Sequence, residues 1–209
     1  MSWKNDQVSA GETKKILELA ESCLNVPGDY VEFGCYKGDT SLLLAELLVE
    51  KSVEKDADKM LKRCEEGAKS GGCGNIKKRL WIYDSFEGLP EKSDQDRSEL
   101  GVSFRCGELF VTKREVKERF LRANLPVPMI KKAWFRDLTE KDLPEKIAFA
   151  FLDGDFYESI RDSLRLVVPR MSEGGVMAIH DYSNPALPGV RRAVEEFGAM
   201  SGRFRVELL

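Results

Sequence analysis

Two carboxylates, Asp153 and Asp181, and the chain's only histidine, His180, each follow a short apolar run. Asp153 comes after IAFAFL, and His180-Asp181 after VMAI. If those runs lie side by side, the carboxylates share one crevice and repel, so a cation belongs between them. Oxygen ligands with open positions suit Mg²⁺, which takes one or two protein carboxylates and keeps several waters. The imidazole shifts that preference towards Mn²⁺, Zn²⁺ or Fe²⁺. It could instead serve as a general base, since its charge changes near neutral pH. A purely structural use stands beside these: Asp153 and Asp155 as helix caps, His180 as a packed, hydrogen-bonded ring. A second group lies in VEFGCYKGDTS, Val31 to Ser41, where Glu32 sits inside an apolar run that ends in Gly34 and, after Tyr36 and Lys37, Gly38. These glycines allow a ligand to touch main chain where a Cβ would collide. The helix start behind them offers unpaired N–H groups. A third run, LWIYD, delivers Asp84. In nucleotide-binding α/β folds an acid there accepts hydrogen bonds from ribose hydroxyls, usually about 20 residues after the glycine turn. Here the gap is some 50 residues, which an inserted helix explains because lengthening a connection costs little.

The elements needed to position these residues can be traced along the chain. Ser9 and Glu12 form a capping box for a helix over residues 9–24, and Asn25 and Pro27-Gly28 stop it. Tyr30 to Phe33 is the first strand. A helix from Asp39 or Thr40 extends to about Lys69, with a break near Ser52, and GGCGN ends it. Its charged flanks over residues 50–78 read as a solvated face, or as a homodimer or partner surface. Leu80 to Asp84 is the second strand. Residues 91–108 are polar and without periodicity, a length that suggests a substrate lid or else a plain disordered surface loop. Thr112 and Glu115 cap a helix from Lys113 to Ala123. A strand follows from Met129 to Phe135. Ile147 to Leu152 is continuously apolar, as a central parallel strand buried on both faces must be. Then come a helix from Tyr157 to about Met171, a turn at Ser172 to Gly175, a strand from Val176 to Ile179, a helix from about Gly189 to Met200, and a sixth strand from Arg203 to Leu209. Such alternation predicts an α/β fold, a mostly parallel sheet with helices on both faces. Right-handed crossovers bring the strand ends to one edge. Glu32, Asp84, Phe135, Asp153, His180 and Asp181 would meet there.

Bulk properties narrow the function. The 209 residues suffice for one domain, 1–209, and the formal net charge of −3 advertises no nucleic-acid partner. No apolar run approaches the roughly 20 residues that span a bilayer. The N-terminus lacks the apolar core of a secretory signal, so a cytoplasmic location is expected. Five cysteines, at 23, 35, 64, 73 and 106, show no CxxC spacing and read as free thiols.

The blocks GDYVEFGCYKGDTS, LWIYDSFEGLP, AWFRDL, FLDGDFYESIRDSL and GGVMAIHDY, with GVRRAVEEF behind, occur in an order that resembles the macrocin O-methyltransferase family of class I S-adenosylmethionine enzymes. The resemblance covers most of residues 9 to 200. It implies a Rossmann-like class I methyltransferase fold, S-adenosylmethionine as methyl donor, a divalent ion (Mg²⁺ first), and a hydroxyl of a sugar or natural product as acceptor. It assigns Glu32, Gly34, Tyr36 and Gly38 to the adenosylmethionine loop, Lys37 to its basic position, and Cys35, Thr40 and Ser41 to the same binding stretch. Asp84 would take the ribose hydroxyls, with Ser85 and Phe86 beside the adenosine and Phe135 near the adenine. Asp153 would be metal ligand and base, with His180 and Asp181 completing the metal set. The family usually has two aspartates where this chain has His180-Asp181. It also ends in an antiparallel strand after the sixth, for which this chain leaves no residues. Two other readings share the fold: a non-catalytic module that keeps the cofactor pocket, and a nicotinamide dehydrogenase. The latter would need a third packing glycine, and Tyr36 occupies the middle of the turn.

Overall fold

The computed structural model describes residues 7–66, 78–100, 104–198 and 202–209, and in its longest helix the side chains only as far as residue 53. Cys73 and residues 67–77 of the 50–78 insertion therefore lie outside the described residues, as do the side chain of Cys64 and 101–103 of the expected lid. Helix α1 spans Ala10–Ser22, with the Ser9–Glu12 capping box formed in both directions. Strand β1 is Asp29–Phe33, and helix α2 runs Asp39–Glu66. The expected break at Ser52 is absent: α2 runs through it, and the Ser52 hydroxyl folds back onto the Val49 carbonyl at 2.7 Å. Then follow β2 (Leu80–Asp84), α3 (Lys113–Arg122), β3 (Met129–Lys132), β4 (Ile147–Leu152), α4 (Tyr157–Val167), β5 (Met171–Ile179), α5 (Pro188–Phe197) and β6 (Arg205–Leu208).

The sheet order is β3-β2-β1-β4-β5-β6, and every neighbouring pair is parallel. Among the described residues no antiparallel strand joins it, and β6 pairs directly with β5. The chain starts in the middle at β1, moves outward to β3, then returns to β4 on the other side. The order thus reverses between β1 and β4, the place where open α/β sheets leave a crevice beyond their strand ends.

Alternation along the strands sorts side chains onto two faces. Val31 and Phe33 of β1, with Ala150 and Leu152 of β4, pack with α4 and α5. Tyr30, Phe149 and Phe151 pack with α1, α2 and α3. All six residues of β4 are buried, which is why its sequence carries no polar position.

Two boundaries differ from expectation for identifiable reasons. Ser172 to Gly175 is no turn but lies inside β5. Ile147 pairs with Met171 whereas Phe149 pairs with Val176, so the four residues form a bulge. Ser172 donates to the Pro27 carbonyl at 2.6 Å, and the Gly174 amide to the Arg203 carbonyl at 2.8 Å. These bonds hold the bulge in the sheet. Strand β3 stops at Lys132, short of Phe135, which instead enters a 3₁₀ turn, Phe135–Asp137.

Candidate active site

Ladder bonds continue past the strand ends and stiffen the rim. The Gly34 amide donates to the Tyr83 carbonyl at 2.9 Å, Asp153 to Phe33 at 2.8 Å, and His180 to Leu152 at 2.9 Å. Three polar exits, from β1, β4 and β5, are thus tied to their neighbours. Four non-glycine residues at this rim hold left-handed φ: Tyr36 at 44°, Phe86 at 51°, Asp155 and Asp181 at 59°. Such backbone costs energy and gathers where surrounding structure enforces it.

Both glycines are required by the packing of the rim itself. A Cβ on Gly34, at φ 87°, would fall 1.9 Å from the Asp153 carbonyl oxygen, so this glycine lets β1 and β4 leave the sheet in contact. A Cβ on Gly38, at φ 79°, would meet the Val116 side chain at 3.2 Å. The Gly38 amide closes a turn onto Cys35 at 2.6 Å.

A cleft of about 1070 Å³, counting its open mouth, lies over this edge. Six carboxylates line it: Glu32, Asp39, Asp84, Asp153, Asp155 and Asp181. Against them stand Lys37 and His180. The opposite wall is apolar, with Leu89, Phe104, Leu109, Trp134 and Phe135. Phe135 reaches it by packing edge-on against Phe33 at 5.1 Å, although its strand ended earlier.

His180 is the hub of the acidic corner. Its Nδ1 lies 3.0 Å from Asp153 Oδ1 and 2.9 Å from Asp181 Oδ2, and its Nε2 lies 3.7 Å from Glu12 Oε1. Burial alone would push the imidazole pKa down, but the Asp153 charge and hydrogen bond, then Asp181, hold it up at about 11. Burial raises Asp153 as well, so the two compete for one proton. The second carboxylate tips that proton to the ring, and Asp181, bonded by His180 and Asn184, is held below its ordinary value despite its burial. One ligand atom from each of Asp153, His180 and Asp181 lies within 4.8 Å of the others. Two carboxylate oxygens and one nitrogen this close would suit a divalent ion, which would have to displace the proton that the ring holds between them.

Glu32 is buried and accepts a hydrogen bond from the Ser41 hydroxyl. Burial lifts its pKa to about 8, against that hydrogen bond and with help from Asp153, Asp84 and Asp39. Asp84 already holds three amides: Cys35 at 2.9 Å, Tyr36 at 3.4 Å and Phe86 at 2.7 Å. It staples the glycine turn to β2. From outside, Arg119 donates to the Lys37 carbonyl at 2.5 Å and pairs with Asp39.

Of the expected site residues, the cleft brings together Glu32, Gly34, Cys35, Tyr36, Lys37, Thr40, Asp84, Ser85, Phe135, Asp153, His180 and Asp181. It does not bring Gly38, Ser41 or Phe86 to its surface. Ser41 backs Glu32, and Phe86 is packed in the core beneath. The Cys35 thiol is buried, and burial first, then Asp84, pushes its pKa well up, which leaves it inert. Arg161 and Asp162 pair with each other on α4. Sequence reasoning missed Glu12, Arg119 and Asp155 as parts of the site. Asp155 follows Asp153 by two and was legible as a third acid. Glu12 and Arg119 were visible only as a helix cap and a helix charge.

Residues 70–203 match the model for the Macrocin-O-methyltransferase (TylF) family. The chain belongs to that family. Among relatives of this macrocin O-methyltransferase homologue is the 8-demethyl-8-(2,3-dimethoxy-alpha-L-rhamnosyl)-tetracenomycin-C 4'-O-methyltransferase of Streptomyces olivaceus. It is 30% identical over 182 residues, 85% of this chain and 60% of the relative. The demethyldecarbamoylnovobiocin O-methyltransferase of Streptomyces niveus is 28% identical over 88% of this chain and 66% of its own. This chain therefore spans about three fifths to two thirds of the relatives' length. The solved O-methyltransferase NovP superposes with a TM-score of 0.66 at 25% identity, over 89% of this chain and 70% of that one. The calicheamicin methyltransferase CalS11 shares the fold at a TM-score of 0.64, 20% identity, 93% of this chain and 72% of its own. No helix among the described residues is long and apolar enough to cross a membrane.

Proposed function

We propose that the cleft binds S-adenosylmethionine and transfers its methyl group to a hydroxyl on a small molecule, a sugar-bearing natural product by analogy with the relatives. The observation that carries this reading is the charge of the cleft. Six carboxylates face one lysine and one imidazole at the switch point of the sheet. So acidic a crevice calls for cationic occupants. Bound S-adenosylmethionine would supply an electrophilic methyl on a sulfonium and an ammonium on its amino-acid end. Glu32, at the bottom of the glycine turn, accepts a hydrogen bond from Ser41 and would give up its proton against such an ammonium. Asp84 and the turn it staples would hold the ribose end, and Phe135 with Trp134 would cover the base.

Asp153, His180 and Asp181 would hold a divalent ion, Mg²⁺ by family resemblance, which would lower the pKa of a hydroxyl brought to it. The proton of that hydroxyl would pass to a carboxylate at the corner, Asp153 or the neighbouring Asp155. The apolar wall keeps water from the acceptor. What remains is positioning, in which a 1 Å error costs on the order of 10²-fold.

Calorimetry and a methyl-transfer assay test this. S-adenosylhomocysteine is expected to bind and NAD not to. A panel of glycosylated acceptors, assayed with Mg²⁺, is expected to yield a methylated product that Asp153→Ala abolishes. Binding without transfer to any acceptor would leave a non-catalytic module instead, and tight NAD binding would overturn the reading.

A further inference from the structure

The acidic corner stands on two helices that lack caps of their own. Helix α4 begins just after Asp153-Gly154-Asp155, and α5 soon after His180-Asp181. Yet their N-cap residues, Phe156 and Leu187, make no side-chain cap bond. A helix start without such a partner leaves amides unsatisfied. For α4 the partner comes from far along the chain. Asp96, 2% exposed, accepts the Tyr157 amide on Oδ1 at 2.7 Å. Its Oδ2 takes the Ser93 amide at 2.9 Å and the Ser93 hydroxyl at 2.6 Å.

The same segment grips α5. Gly189 in its first turn lies so close that a Cβ there would sit 1.8 Å from Asp96 Oδ1 and 2.8 Å from the Tyr157 nitrogen. Arg192 donates to the Gln95 carbonyl, and the Ser98 hydroxyl to the Pro185 carbonyl at 2.9 Å. A stretch expected to be part of a lid is thus bolted, at 93–98, across the starts of both helices. A carboxylate suits that place, since two helix N-termini present partial positive charge and hydrogen bonds to an ionised acceptor are stronger than neutral ones.

We propose that Asp96 is a positioning residue. It caps α4, wedges against the first turn of α5, and so fixes the two loops that carry Asp153 with Asp155 and His180 with Asp181. Its functional meaning rests on the methyltransferase reading above. Its geometry does not.

The test uses the ring resonances of His180, the only histidine in the chain, together with amide exchange on the full chain. In Asp96→Ala the ring signals are expected to shift or broaden, and amides of 153–157 and 181–189 to exchange about tenfold faster, the loss expected of a removed cap. Amides of the glycine turn, 34–38, should stay at the wild-type rate. Asp96→Asn keeps an oxygen for the Tyr157 amide but sets an NH2 against the Ser93 amide, and should restore the His180 signals in part. Gly189→Ala leaves the carboxylate but crowds it, and should reproduce Asp96→Ala. Unmoved ring signals in Asp96→Ala, faster exchange spread evenly over the sheet, or an Asn variant no better than Ala would overturn the proposal. S-adenosylhomocysteine binding by wild type is measured in parallel. Its absence would sink the methyltransferase reading while the exchange and ring data still judge Asp96.

Discussion

Glu32 shows how one side chain can couple the cleft to stability. It is 1% exposed and its pKa is lifted to about 8. In the unfolded chain it would lose its proton near pH 4.3, while the fold keeps that proton until about 8. Over that interval the native state binds more protons than the unfolded one, so stability falls as pH rises. The contribution is fully present below about pH 4.3 and gone above about 8, a loss on the order of several kcal/mol. Glu32→Gln keeps an acceptor for Ser41 and cannot ionise. Its denaturation midpoint in urea, measured from pH 5 to 8, should gain steadily on wild type, and parallel curves would refute the assignment. At the other end of the cleft, Asp153→Asn takes the charge from one of the three groups that would hold an ion. On that proposal Mn²⁺ affinity by calorimetry should fall by at least the roughly 10- to 100-fold that loss of a supporting partner costs.

At the scale of elements, the glycine turn is held from two sides, by Asp84 beneath and Arg119 of α3 above. Arg119→Ala strips the outer clamp and leaves Asp39 without its ion pair. S-adenosylhomocysteine affinity should drop by about tenfold, and stability by about 1–3 kcal/mol, as for a broken hydrogen bond to a charged group. Equal affinities in variant and wild type would show that the turn needs no clamp. The two expected capping boxes, Ser9–Glu12 and Thr112–Glu115, both form, because their bonds lie within four residues. LWIYD and IAFAFL have the expected bounds for a related reason: each apolar run is cut off by a polar residue. The Gly174-Gly175 pair misled because glycines mark turns and bulges alike. What separates them is pairing with β4, 25 residues back. Asp96 and Arg119 act across 61 and 80 positions. No local pattern announces a bond of that span.

On the scale of the whole molecule, both faces of the sheet are sealed by helices, and β1 and β4 are buried along their whole length. Phe149 is fully buried and packs 5.4 Å from Tyr30. Phe149→Ala should cost about 3–5 kcal/mol. The loss should appear as one lowered transition by circular dichroism and by fluorescence of the tryptophans together, since a single sheet of this size unfolds as a unit. Two separated transitions would show that the halves either side of β1 and β4 melt independently. The fold class was open to reading because helix and strand periods alternate. The charge balance of the cleft was not, because it is a sum over residues from four separate stretches, 32–39, 84, 153–155 and 180–181.

The pairing of β1 with β4 sets a condition on how the protein is made. Glu32 stands beside Phe151, about 120 positions later. At about 5–20 residues per second on the ribosome, the inner border of β1 stays bare for roughly 6–24 s. Throughout that wait its ladder groups invite any other extended chain. The strand order itself thus leaves that edge without its partner until the second half has been made.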